Sequence, residues 1–251
     1  MKSEQIARRF AQAHLSYKQH AVVQNAVAAE LIQLLQQHVS QPDFQRVLEI
    51  GCGSGLFSQR FMQSYGFEHL FLNDLYAEVQ QHFQEDDRLL WGLGNIETLP
   101  LPQSLDLVVS SSSLQWIKDL AALLKKVHQA LKASGHVCFS SYAQDNLKEI
   151  KALTGQGLDY LSLDQVVRML ESQGFEVIAQ HEERMTLDFE HPKQVLQHIK
   201  ATGVQATAQG FRWTKSSLQA FYQNYQQFQH PDTQHYGLTY HPIYVIARKV
   251  I

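Results

Sequence analysis

The chain has 251 residues, 44% hydrophobic and 18% charged, with a net charge of −3 at neutral pH. That length suits one α/β domain with an added cap, or two small domains, and the charge balance lacks the basic field that a nucleic-acid partner selects. No apolar run approaches the roughly 20 residues of a membrane span. Met1 to His20 has no signal-peptide core, and two cysteines (Cys52, Cys138) make no disulfide framework. A soluble, cytoplasmic protein is expected.

The chain opens with two helical runs. Ile6, Phe10, Ala13 and Tyr17 recur at helical spacing, then Val22, Val23, Ala26, Val27, Leu31, Leu34 and Leu35. The turn at Gln41-Pro42-Asp43 ends the second. Residues 1–40 read either as a lid over a ligand or as a helical layer packed on a sheet. Residues 46–55 (Arg-Val-Leu-Glu-Ile-Gly-Cys-Gly-Ser-Gly) organise the rest of the chain. Val47, Leu48 and Ile50 make a short buried strand that runs into a glycine turn, and Leu56, Phe57 and Phe61 line the helix after it. A dinucleotide fingerprint needs glycine at position 56, which is Leu, and no Gly-Lys-Ser/Thr ending marks a phosphate-binding loop. The remaining pattern, Glu49-x-Gly51-x-Gly53-x-Gly55, resembles motif I of class I S-adenosylmethionine (SAM) methyltransferases.

A second strand, His69 to Asp74, ends in an acid 23 residues beyond Gly51. That is close to the spacing of a carboxylate that accepts from ribose hydroxyls, although a strand-ending Asp also serves in turns. Leu75 follows it. A third strand, Leu89 to Trp91, leads to Gly94-Asn95-Ile96-Glu97-Thr98-Leu99-Pro100. Class I methyltransferases hold adenine on such a segment with an Asp; here Asn95 offers a carbonyl that can still accept, and Ile96 supplies the apolar face. Leu105 to Val109 is a buried parallel strand followed by Ser110 to Ser113, Leu114, Gln115 and Trp116. Ligands in open α/β sheets bind beyond the carboxyl ends of strands. The serine run, Ser111 among it, is therefore expected to border the methionine end of the cofactor and Leu114 joins the cofactor candidates, while Trp116 suits that end or plain core equally. Asp119 to Ala133 reads as an amphipathic helix with Gly135 at its C-cap, before a strand over His136–Ser141. Five strands alternating with helices predict a doubly wound, mostly parallel sheet.

Beyond residue 142, Ser162–Gln173 reads as a helix closed by Gly174, and Phe175–Phe189 as one strand. Pro192–Thr202 and Thr214–Phe228 read as helices, and Leu238–Arg248 as a last strand with Pro242 at an edge or bulge. The expected organisation is a single domain: a lid over 1–40, a cofactor core over 41–142, and a completion of the sheet over 143–251 with a substrate cap at 190–230.

Three outer stretches narrow the likeness: Phe10–Ala21, with Tyr17-Lys18-Gln19-His20-Ala21; His198-Ile199-Lys200-Ala201-Thr202-Gly203-Val204; and Leu238-Thr239-Tyr240-His241 through Val245-Ile246-Ala247-Arg248. With them the chain resembles, over nearly its whole length, the biotin-pathway malonyl-acyl-carrier-protein O-methyltransferases. Gln12 stands where that family commonly has a basic residue, and Asn95 where it has an acid. The resemblance implies a seven-stranded Rossmann-like fold, SAM as methyl donor, and methylation of the free carboxylate of a malonyl thioester on acyl carrier protein or coenzyme A. It implies Tyr17 as a lid residue near the reaction.

A carboxylate is ionised at neutral pH, so this chemistry needs no general base, only a cationic cradle. Lys200, Arg212 and Tyr17 are the candidates. Acidic carrier proteins would favour a local basic patch drawn from Arg8, Arg9, Lys148, Lys151, Lys200, Arg212 and Lys215. The 13 histidines show no metal-ligand spacing. Competing readings are another small-molecule SAM methyltransferase and a non-catalytic relative that keeps the fold.

Overall fold

The computed structural model describes residues 21–202 and 213–250. Their internal contacts divide the chain into two compact units. One takes in Val22–Ser141, Ser162–Glu182 and the strand from Ile243 onward; the other takes in Tyr142–Leu161 and Glu183–Pro242.

The first unit is built on a seven-stranded sheet. Its strands are β1 (Asp43–Ile50), β2 (Gly66–Asp74), β3 (Leu89–Leu93), β4 (Leu105–Ser110), β5 (Leu131–Tyr142), β6 (Phe175–Glu182) and the last strand of the chain, β9 (Pro242–Lys249). They lie in the order β3-β2-β1-β4-β5-β9-β6. The pairs β1/β2, β1/β4, β2/β3 and β4/β5 are parallel, and β6/β9 is antiparallel. This is the doubly wound, mostly parallel sheet that the alternation of elements predicts, with a switch point where the chain leaves β1 in both directions.

The helices of this unit are α1 (Val22–His38), α2 (Leu56–Ser64), α3 (Leu120–Ala130) and α5 (Leu163–Ser172). Val23, Val27, Leu31 and Leu35 of α1 are fully buried, and Arg60 of α2 donates to the Asn25 side chain at 2.6 Å. Residues 22–38 are thus a packed helical layer. Phe57 and Phe61 of α2 stack within an aromatic cluster that takes in Phe44 of β1 and Tyr65. Among the described residues no helix is long and apolar enough to cross a membrane.

In the second unit β7 (Met185–Phe189) and β8 (Tyr236–Tyr240) form a two-stranded antiparallel sheet. The helices α6 (Pro192–Ala201) and α7 (Lys215–Asn224) lie between these strands in the chain, and α4 (Lys148–Thr154) packs beside β8. The buried carboxylate of Glu149 accepts from both the backbone N–H (3.0 Å) and the hydroxyl (2.5 Å) of Thr239.

Three boundaries differ from the expectations. Phe175–Phe189 is two strands, broken after Glu182, where the Glu183 N–H donates to the Pro242 carbonyl. Leu238–Arg248 is likewise two strands, parted at His241, and each half belongs to a different sheet. Pro242 therefore sits neither at an edge nor in a bulge. It is the first residue of β9, a place where a missing N–H is tolerated. Finally, α3 stops at Ala130 and Gly135 is not its cap. The register of β4 and β5 jumps from Leu105↔Leu131 to Leu107↔His136, so Lys132–Gly135 loop out of the ladder. Lys132 then reaches Asp106 at 2.7 Å, and the other oxygen of Asp106 accepts from the Gln45 and Arg46 N–H groups.

Candidate active site

The candidate cofactor residues converge at the carboxyl ends of β1 to β4. Beyond Ile50 the backbone takes positive φ at Gly51 (74°), Gly53 (51°) and Gly55 (78°), a region closed to most side chains. Gly51 has a second reason to be glycine: a Cβ there would lie 2.2 Å from Ser113 Oγ. Gly53 is the opposite case, because a Cβ there would meet nothing within 4 Å. The turn is therefore packed hard on its β4 side and open at its crest.

The turn is tied to β2. The N–H groups of Gly51 and Cys52 both donate to the Asn73 carbonyl, at 2.9 and 3.0 Å. The Gly53 N–H donates to Asp74 Oδ2 (2.8 Å), and the Leu75 N–H to Asp74 Oδ1 (2.7 Å). Burial pushes the Asp74 carboxyl up from its ordinary range while these N–H groups oppose it. Each carboxylate oxygen has more than one acceptor site, so capacity is left for the hydroxyls of a ligand.

Under the turn, Glu49 is only 1% exposed, and among the described residues its Oε2 has no hydrogen-bond partner. Burial pushes its carboxyl up to about 7. The Ser58 hydroxyl opposes this, although its geometry falls short of a full hydrogen bond, and the Asp74 charge adds a smaller upward push. Beside them burial also raises the Cys52 thiol and the Tyr76 phenol.

The serine run holds the other wall. Ser110 and Ser113 each donate to the Ile50 carbonyl, at 2.9 and 3.1 Å, and Ser112 takes positive φ with its N–H near the Ser140 hydroxyl. Ser111 is half-buried and Leu114 is buried at the start of a single 3₁₀ turn ending at Trp116. On the far side the Asn73 side chain donates to the carbonyls of Gly92 (2.6 Å) and Gly94 (3.1 Å), which binds β2 to the loop after β3. In that loop the Asn95 side-chain oxygen accepts from the Glu97 N–H (3.0 Å), an Asx turn, and Ile96 is buried. Only the oxygen of an amide can accept there, so the turn fixes which way the Asn95 side chain is oriented.

Sequence reasoning placed Ser113 only within the serine run and gave Asn73 no role, although a lone amide beside the strand-ending Asp74 was a signal; the partners of both, Ile50 and the loop after β3, lie far off in the chain. Of the remaining candidates, Lys200 is exposed in the last turn of α6, in the other unit. Tyr17 and Arg212 lie outside the described residues, as do Arg8 and Arg9. Lys148 and Lys215 are exposed, and Lys151 is 3.3 Å from Asp159. Within that unit two of the stretches that carry the narrower resemblance meet: His198 Nε2 lies 2.8 Å from the Tyr240 hydroxyl.

Comparison with known proteins identifies the family. Residues 20–180 match the family described as "Methyltransferase domain". The chain is 44% identical to a malonyl-[acyl-carrier protein] O-methyltransferase of Acinetobacter baylyi, covering 97% of this chain and 96% of that one. It is 38% identical to one from Bacteroides fragilis, covering 97% of this chain and 50% of that protein. Among solved structures it is similar in fold to an S-adenosylmethionine-dependent methyltransferase from Mesorhizobium loti (TM-score 0.54, 20% identity, covering 86% and 96%).

Proposed function

Since this chain belongs to the malonyl-[acyl-carrier protein] O-methyltransferases, we propose that it methylates the free carboxylate of a malonyl group carried on acyl carrier protein. SAM is the methyl donor. When bound it supplies an electrophilic methyl on a sulfonium: the O–CH3 bond forms as the S–CH3 bond breaks, leaving S-adenosylhomocysteine and no proton to move.

The observation that carries the cofactor assignment is the turn itself, packed against Ser113 at Gly51 and open at Gly53, with Asp74 beside it. A ribose needs a two-oxygen acceptor, which Asp74 offers. The buried oxygen of Glu49, without a hydrogen-bond partner among the described residues, suits a cationic ligand better than a neutral one. Leu75, Asn95 and Ile96 would flank the adenine, and Ser111 and Leu114 the methionine end. Glu49, Gly51, Gly53 and Gly55 complete the set.

The acceptor carboxylate is already charged at neutral pH, so the protein's task is to hold it in line with the methyl. Such positioning can supply roughly 7–11 kcal/mol. We assign that task to Lys200, Arg212 and Tyr17: a cation to neutralise one carboxylate oxygen and a hydroxyl to orient it. The exposed lysines of α4, α6 and α7 are the surface offered to an acidic carrier protein, and the setting is cytoplasmic. The methyl ester hides a charge at the end of an acyl chain, in keeping with the start of pimeloyl synthesis for biotin.

The test is mass spectrometry of malonyl-carrier protein, malonyl-coenzyme A and free malonate after incubation with SAM. A one-methyl gain on the carrier-bound malonyl, removed by mild ester hydrolysis, is expected. No gain on any acceptor while SAM still binds would discard the substrate assignment.

A further inference from the structure

Lys126 lies in the middle of α3, on a helix otherwise occupied with packing Leu123, Leu124 and Val127 into the core. Among the described residues its ammonium group does not pair with an acid. It donates to the backbone carbonyl of Ile96 at 2.8 Å and to that of Leu99, and lies 3.5 Å from the carbonyl of Glu97. Three carbonyls of one loop thus converge on one cation, a use of all three donors of an ammonium. The same helix grips the loop a second time, since the Asp119 N–H donates to Glu97 Oε1 at 3.2 Å. From the other side Asn73 holds the carbonyls of Gly92 and Gly94. Between these two clamps sit Asn95 and Ile96.

We propose that Lys126 is a positioning residue for cofactor recognition: it fixes the backbone of residues 96–99 so that Asn95 and Ile96 are presented to the adenine in one orientation. The inference rests on the proposed SAM site. The physical reason is that a part-buried loop whose carbonyls share one set of partners loses little freedom when a ligand binds. Desolvation lowers the Lys126 ammonium from its ordinary range. A methionine at this position keeps the length of the stem and removes all three donors.

The experiment compares wild type, Lys126→Met and Lys126→Arg by calorimetric titration with two probes, S-adenosylhomocysteine and its inosine analogue, in which the 6-amino group is replaced by a carbonyl. Lys126→Met is expected to weaken S-adenosylhomocysteine about tenfold and to shrink the preference for adenine over hypoxanthine by a similar factor, with Lys126→Arg recovering part of both. A merely structural role would lower the melting temperature without changing that preference at temperatures well below the melt. An unchanged adenine preference in Lys126→Met overturns the inference. If that variant does not fold, Lys126→Gln takes its place, and an unchanged adenine preference in Lys126→Gln overturns the inference as well. Failure of wild type to bind S-adenosylhomocysteine at all would instead sink the cofactor reading beneath it.

Discussion

Replacing Gly51 by alanine tests the reasoning about the turn most directly, because two separable costs meet at one atom. The backbone there has φ of 74°, and an L-residue in that region costs about 1–2 kcal/mol. The new Cβ would also lie 2.2 Å from Ser113 Oγ and 2.5 Å from Ser113 Cβ. Ser113 cannot simply swing away, since its hydroxyl donates to the Ile50 carbonyl and lies 3.1 Å from that of Ser110. Relieving such an overlap by shifting packed groups costs about 1–3 kcal/mol, so Gly51→Ala should lose about 2–5 kcal/mol in all. In a Ser113→Gly background the overlap vanishes and only the φ cost of about 1–2 kcal/mol remains. The difference is a coupling of about 1–3 kcal/mol, measurable by a double-mutant cycle in urea. The four proteins should be titrated with SAM in parallel, with the weakest binding in Gly51→Ala. A coupling near zero, or a Gly51→Ala protein as stable as wild type, would refute the account of the turn.

Other expectations rest on single side chains. The Glu49 carboxyl, raised to about 7 in the folded chain, titrates near its ordinary value of 4.5 when unfolded. Between those values the unfolded state has lost a proton that the native state keeps, so stability should fall as pH rises from about 4.5 to 7. The loss is at most ~3 kcal/mol. Urea midpoints of Glu49→Gln should lack this slope, and parallel pH profiles for the two ligand-free proteins would exclude Glu49 as its source. Asn95→Asp keeps an oxygen for the Glu97 N–H while freeing a second acceptor, so SAM should bind about two- to fivefold tighter; equal or weaker binding by calorimetry would count against an adenine contact there. If Lys200 helps hold the malonyl carboxylate, Lys200→Met should raise KM for malonyl-carrier protein about tenfold and leave the SAM dissociation constant alone; an unchanged KM removes it from the cradle.

The amino-acid sequence by itself determined the elements whose signals are local. Val47, Leu48 and Ile50 could only make a buried strand before Gly51-x-Gly53-x-Gly55, and Asp74 could be placed at the end of the next strand by spacing alone. The helix read over Ser162–Gln173 is present as Leu163–Ser172, its start closed by a reciprocal cap between Ser162 and Gln165. Such features depend on residues a few places apart, whose preferences survive in any context. What only the tertiary structure decided depends on partners far away in the chain. The runs 175–189 and 238–248 read as continuous because no glycine divides either of them. Each is split because its two halves pair in different sheets. The need for glycine at 51 against Ser113, the use of Asn73 to hold the loop after β3, and the grip of Lys126 on carbonyls some 27 to 30 residues earlier arise in the same way. Periodicity reports which face of an element is buried, but not what it is buried against, and the cradle at the ends of β1 to β4 is made of those contacts.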